Sequence, residues 1–358
     1  MVVFVKRGKL AENEKWIYKQ NHLEVVSQFN YLGVVFSTTG SFVKNRQFIH
    51  GKASRAMNIL LTNIRKFELL PRTSLQLFDA FVTPILTYGS VIWGFHVNRE
   101  LERIHLRFCK KILGVRDSTS TAGVYGELGR YPLYVNRHIG IIKFWLKIAN
   151  TNNQLIKLIY TQSLDKCNNG TRNWLYNVKN LLCSYGLGFA FDMPEQLDNL
   201  FIELYKQRAK DTFIQKWNTD VQSNRTLLLY REIKYRFEYE DYLDILKSHT
   251  LRSGVTKLRI SAHGLRIQTG RFIRPRLEPN DRICEYCNNN DIEDEFHFIL
   301  SCDAYKDIRS NFINSMYTNR PSMLKLIFLL KENKKQMINL GKFISLATIK
   351  RRNLTTTR

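Results

Sequence analysis

The chain has 358 residues, 55 Lys plus Arg against 31 Asp plus Glu, a formal net charge of +24, and 44% hydrophobic residues. That apolar share supports buried cores in two or three folded units, at roughly 100–200 residues each, and a pI of about 9.8 points to a polyanionic partner. With only 18 Gly and 7 Pro the chain is not collagen-like, and six Cys are too few to staple a disulfide-dense secreted module.

Residues 1–42 are expected to be β-rich. Val2 to Val5, Trp16 to Tyr18 and Phe29 to Phe36 are short β-branched and aromatic runs, and Thr38 to Ser41 marks a turn. From residue 43 the spacing becomes helical. Ala53, Ala56, Leu60 and Ile64 form one stripe, with Met57 and Leu61 widening it. Leu75, Phe78, Val82 and Ile85 form the next, with Pro71 placed for a helix start and Pro84 for a kink. Leu101, Ile104, Phe108 and Ile112 form a third, ended by Gly114. Ser118 to Gly129 reads as a Ser/Thr/Gly-rich link, followed by helices near 137–162, 172–185, 195–217 and 225–247, with breaks at 151–153 and 167–170. Residues 251–282 turn Arg-rich, 306–350 reads as two or more helices, and 350–358 as a frayed basic tail. The fold class is thus mainly α (α+β), with a short N-terminal β-hairpin region.

The N-terminal apolar run is too short for a signal-peptide core. The stretch Leu75 to Phe95 is broken by Asp79, Pro84 and Gly89, so no membrane span is expected and the setting is intracellular, nucleus and/or cytoplasm.

Cys284-x2-Cys287-x9-His297-x4-Cys302 is the sharpest motif. Three thiolates and an imidazole make the ligand set of a closed, structural zinc site. The alternatives are a plain Cys pair beside an unrelated His and Cys, or a redox pair, which lacks its βαβ surroundings. Between Ile283 and Tyr305 there are six carboxylates and no Lys or Arg, so this knuckle either docks on the protein's own basic surface, docks on another subunit, or is a solvated acidic loop.

The preceding arm, 251–282, carries eight cations against Glu278 and Asp281. Arg259, Arg266, Arg271, Arg274 and Arg276 lead the expected phosphate contacts. Further basic positions are Arg46, Lys52 and Arg55 on the first helix and Arg103, Arg107 and Lys110 on the third, extended by Lys111 and Arg116. RNA or DNA is the expected partner, against the alternative of solvated charged faces. There is no Asp-Asp dipeptide, P-loop, His-Glu-x-x-His or Gly-x-Ser-x-Gly, and no small-molecule site or catalytic residue can be named.

Phe29-Asn30-Tyr31-Leu32-Gly33-Val34, Thr83-Pro84-Ile85-Leu86-Thr87-Tyr88-Gly89 with Trp93, His263-Gly264-Leu265, Gly270-Arg271-Phe272 and Glu293-Asp294-Glu295-Phe296-His297-Phe298 within the Cys/His array form an ordered series. It resembles the C-terminal part of a reverse transcriptase from a LINE-type non-LTR retrotransposon. The resemblance implies a palm remnant over 1–42, with Tyr31, Leu32 and Gly33 as a primer-grip-like hairpin. It also implies a helical thumb over 43–117, a helical linker over 118–250, the basic arm and CCHC zinc knuckle over 251–305, and C-terminal helices with a basic tail over 306–358. The retrotransposon's other protein becomes a further expected partner. The family's catalytic Ala-Asp-Asp box would precede Met1, so magnesium is not expected and polymerisation is not expected from these residues. The alternatives are a protein-interaction or structural zinc-binding module, or a fragment of a complete RNA-directed DNA polymerase.

Overall fold

The structure, a computed structural model, describes residue 3, residues 15–331 and residues 333–356. Apart from Val3, the expected strand at Val2 to Val5 lies outside them. Two antiparallel hairpins, β1 (Ile17–Tyr18) with β2 (Asn21–His22) and β3 (Gln28–Tyr31) with β4 (Val34–Ser37), are the strands among the described residues. The helices are α1 (Val43–Lys66), α2 (Pro71–Phe81), α3 (Arg99–Leu113), α4 (Thr121–Glu127), α5 (Leu133–Ala149) and α6 (Gln154–Asn168). They continue with α7 (Trp174–Ser184), α8 (Asn199–Ser223), α9 (His249–Arg259), α10 (Lys306–Phe312), α11 (Met323–Leu329) and α12 (Lys334–Thr356), with shorter helical turns between them. The fold is therefore mainly α with a short β region near its N-terminal end. No helix among the described residues is long and apolar enough to cross a membrane.

Two compact units are interleaved in sequence. The first takes the described residues up to Asn63, with Gln76–His105 and Pro132–Thr212. Ile49, Ala53, Met57 and Leu60 of α1 are buried at helical spacing, as are Phe78 and Val82 near the end of α2. Deepest of all is α5, where Ile141, Ile142 and Trp145 are fully buried. Its entry is held by Glu102, which accepts from the Leu133 amide (2.9 Å) and the Arg137 guanidinium (3.0 Å). The expected break at 151–153 separates α5 from α6, where the Asn153 side chain caps the Ile156 amide at 3.1 Å. Pro84, expected as a kink, instead opens its own short helix, Thr83–Thr87. There its missing N–H falls among donors with no intrahelical partner, so no hydrogen bond is lost.

The second unit takes Ile64–Leu75, Leu106–Tyr131 and the described residues from Phe213 onward. Three sequence expectations are corrected in it. The link expected over 118–129 contains α4, whose residues Gly123 to Glu127 are all buried. A Cβ at Gly126 would stand 2.4 Å from the Tyr230 hydroxyl and 2.8 Å from the Trp217 ring, so these glycines serve close packing rather than looseness. The helix expected over 225–247 is only two short turns, Leu228–Ile233 and Tyr242–Ile245. Between them the Glu240 amide donates to the Glu127 carbonyl (3.0 Å), while Phe237 packs on Phe213 and Trp217. The tail expected to fray from residue 350 continues α12 to Thr356. Lys350 pairs there with Asp307, and Arg351 with Glu293, both at about 2.8–3.0 Å.

Candidate metal centre and nucleic-acid interface

Local backbone chemistry gathers the four expected ligands in the second unit. Ile283 and Ile292 form an antiparallel bridge, and the Cys284 amide donates to the Asp291 carbonyl at 2.8 Å, closing a loop that carries Cys284 and Cys287. His297 opens a π-helical turn, His297–Ser301, and its carbonyl accepts from the Cys302 amide at 2.8 Å. In an α-helix, residues five apart point about 140° away from each other, whereas the wider π turn brings them to one side. That local widening is what lets His297 and Cys302 face the same point.

The four ligand atoms lie within 4.8 Å of one another. Cys284 Sγ and Cys302 Sγ are 3.9 Å apart, and Cys287 Sγ and His297 Nε2 are 3.3 Å apart. Two sulfurs held tetrahedrally at about 2.3 Å from one ion stand about 3.8 Å apart, so the donor set and its spacing fit a metal ion such as zinc. Cys284, His297 and Cys302 are buried, which keeps competing water away. The Asp291 carboxylate stands 3.3 Å from His297 Nδ1, close but without hydrogen-bond alignment. It is the nearest acceptor for the proton that Nδ1 carries when Nε2 faces a metal. Without an ion, the hydrogen bond from Cys302 holds the Cys284 thiol low, and the same pairing together with burial pushes Cys302 up. Burial alone would lower His297, but the adjacent Cys284 and Asp291 raise it.

Three of the knuckle's six acids, Glu285, Glu293 and Glu295, dock on the protein's own basic side chains, the first of the three options that the sequence left open. Glu293 takes both arms of Arg351 at 2.8 Å and accepts from the Arg266 amide at 2.7 Å. Glu295 takes His263 (2.7 Å) and Ser261 (3.0 Å), and Glu285 pairs with Arg266. Burial would raise Glu295, but His263 outweighs it and holds the carboxyl low. Phe298 packs edge-on against Tyr305 and tilted against Phe343 of α12, and Arg309 donates to the Ile299 and Cys302 carbonyls, each at 2.7 Å. Asp291, Glu293 and Arg309 were not singled out from sequence as partners of the site. Their pairing exists only in space, and no local spacing rule encodes it.

Not all the expected phosphate contacts share the surface. On α1, Lys52 and Arg55 are exposed and Arg46 is half-buried; on α3, Arg103 and Arg107 are exposed. Lys110 is only 6% exposed, and its ammonium donates to the Asp117 carbonyl, so it is corrected from surface cation to internal tie. Arg259 is corrected likewise. It is 1% exposed and is held by Glu127 (3.0 Å) and Glu240 (2.6 Å). Arg271 is half-buried and donates to the Arg225 carbonyl at 3.1 Å, whereas Arg274 and Arg276 are exposed. In the first unit Tyr31 and Leu32 are exposed at the β3–β4 turn, where Leu32 and Gly33 take φ of 48° and 82°. The Tyr88 hydroxyl donates to the Leu32 carbonyl at 2.7 Å, and a Cβ on Gly33 would stand 3.0 Å from the Tyr88 ring. The Tyr31-Leu32-Gly33 and Thr83-to-Gly89 motifs are therefore in contact. No family model, curated protein or solved structure matches the chain.

Proposed function

We propose that this chain is a nucleic-acid-binding protein akin to the C-terminal region of LINE-type reverse transcriptases, with a structural zinc ion at Cys284, Cys287, His297 and Cys302. The role proposed is binding, not catalysis. The observation that carries it is α1, a 24-residue helix with six Lys or Arg and no carboxylate. A phosphate backbone neutralises such a stripe and releases counterions as it does so. Contact between Tyr88 and the Leu32–Gly33 turn also supports the reading, because it joins two of the motifs on which the resemblance rests. A zinc ion would close the knuckle and leave no open position for a reacting water.

Two measurements test this. Anisotropy titrations with labelled RNA and DNA should give affinity that falls steeply with salt and weakens in Lys52→Gln/Arg55→Gln. Elemental analysis of protein purified without chelator should find about one zinc per chain, lost in Cys302→Ser. Binding that ignores salt would instead favour the protein-interaction reading. That reading has its own observation, the exposed Leu155, Leu158 and Ile159 on α6.

A further inference from the structure

A cleft of about 730 Å³ lies in the second unit, bounded by the turn after α3, by α9 and by the C-terminal part of α12. Lys111, Arg116, Lys257, Arg351 and Arg352 line it, and no Asp or Glu does. Arg351 is already engaged by Glu293, and Lys111, Arg116 and Lys257 stand around the same space. Burial first, and then the adjacent Arg352 and Arg116, push the Lys257 ammonium down from its ordinary value, so like charges converge on one space. An anion entering there relieves that repulsion.

The floor is different in kind. Leu258 and Ile344 of the lining are buried, and Ile349, also in the lining, stands 51% exposed. The cationic turn is fixed in place by Ser253, whose hydroxyl donates to the Gly114 carbonyl at 3.0 Å. Gly114 has φ of 68°, and a Cβ there would stand 2.7 Å from the Ser253 hydroxyl. The cleft therefore pairs several cations with apolar side chains, at a size that suits a few small chemical groups.

We propose that this cleft takes a single-stranded stretch of nucleic acid, with its phosphates on Lys111, Arg116 and Lys257 and a base face against Ile349. The inference rests on the nucleic-acid reading above and gives it a second, separate site. A single strand is favoured over a duplex because paired bases face each other and cannot reach an apolar floor, whereas an unpaired base can.

The test uses the full chain and labelled single-stranded RNA of about 12 nucleotides, with the matching duplex in parallel. The variant is Lys111→Gln/Arg116→Gln/Lys257→Gln, and salt runs from about 50 to 200 mM. For the single strand the salt slope should drop by about 2, at about 0.7 per lost phosphate contact, and affinity should fall about tenfold or more. Duplex binding should change far less. Ile349→Glu, an exposed change that leaves every cation in place, should weaken the single strand selectively and serves if the triple variant misfolds. An unchanged slope, or equal losses for strand and duplex, overturns the proposal while leaving the general reading intact. If the unaltered chain binds neither, the general reading falls and this proposal with it.

Discussion

Loss of Glu127 should cost the second unit heavily. The residue is fully buried at the end of α4 and accepts from Arg259 Nε (3.0 Å), from a second Arg259 nitrogen (3.2 Å) and from the Tyr242 hydroxyl (2.5 Å). Arg259 is itself 1% exposed, and without Glu127 its remaining hydrogen bonds go to the Glu240 carboxylate and the Leu330 carbonyl. Glu127→Ala thus strands a buried guanidinium with half its countercharge. Breaking a buried pair in this way costs about 3–5 kcal/mol, a large part of a typical total of about 5–15. Glu127→Gln keeps the shape and an acceptor but loses the charge, and should cost about 1.5–3 kcal/mol. In Glu127→Leu/Arg259→Met neither charge remains, so the double variant should be less destabilised than the sum of its singles. Urea unfolding followed by circular dichroism measures these variants, the two singles included. A cost below about 1 kcal/mol for Glu127→Ala, or strict additivity in the double variant, would refute the reasoning.

Three further outcomes are expected. His138 is buried between the Tyr185 hydroxyl (2.9 Å) and the Phe95 carbonyl (3.0 Å), and burial, then Arg137, hold its pKa down to about 4. As pH falls from about 6.5, the unfolded ring takes up a proton while the folded ring stays neutral until about 4, so stability declines across that window by up to about 3 kcal/mol. His138→Gln should flatten that part of the stability–pH curve, and an unchanged slope counts against it. Gly126→Ala should destabilise by about 1–3 kcal/mol, because its methyl meets Tyr230 and Trp217, and a higher melting temperature would contradict this. Arg351→Met should destabilise by about 3–5 kcal/mol by leaving Glu293 buried without its cation, and Glu293→Gln in the same chain should recover part of the loss. No recovery in the double variant would show that the two side chains are not coupled.

The apolar stripes of α1, α2 and α3 were legible in the sequence because helical periodicity is local: Ala53, Phe78, Leu101 and Phe108 are all buried. The Cys/His cluster that could hold a metal ion was legible for the same reason, its four residues lying within one short stretch of chain. What was not legible depends on partners far along the chain. Gly123 and Gly126 looked like link residues because Ile260, Trp217 and Tyr230 cannot be seen beside them in sequence. Arg259 looked like a surface cation because Glu127 lies 132 positions away. Composition cannot tell a glycine that loosens a chain from one that lets two elements approach.

The arginine bias of the 251–282 arm has a physical source apart from phosphate. Irregular backbone beside and within the arm leaves carbonyls without helical or strand partners, and each must be satisfied once buried. Arg252 donates to the Leu246 and Lys247 carbonyls, and Arg282 to the Leu277 and Ile267 carbonyls; just beyond the arm, Arg309 donates to Ile299 and Cys302. A planar fork with five donors can serve two carbonyls at once and holds its geometry better than a lysine ammonium. Those arginines are spent inside the fold, and the net charge of +24 is expressed elsewhere. Among its outlets are the exposed cations of α1, Arg103 and Arg107 of α3, Arg274 and Arg276, and the cleft lined by Lys111, Arg116 and Lys257. Affinity for polyanions should therefore follow where cations remain open to a partner, not where arginine is densest in the sequence.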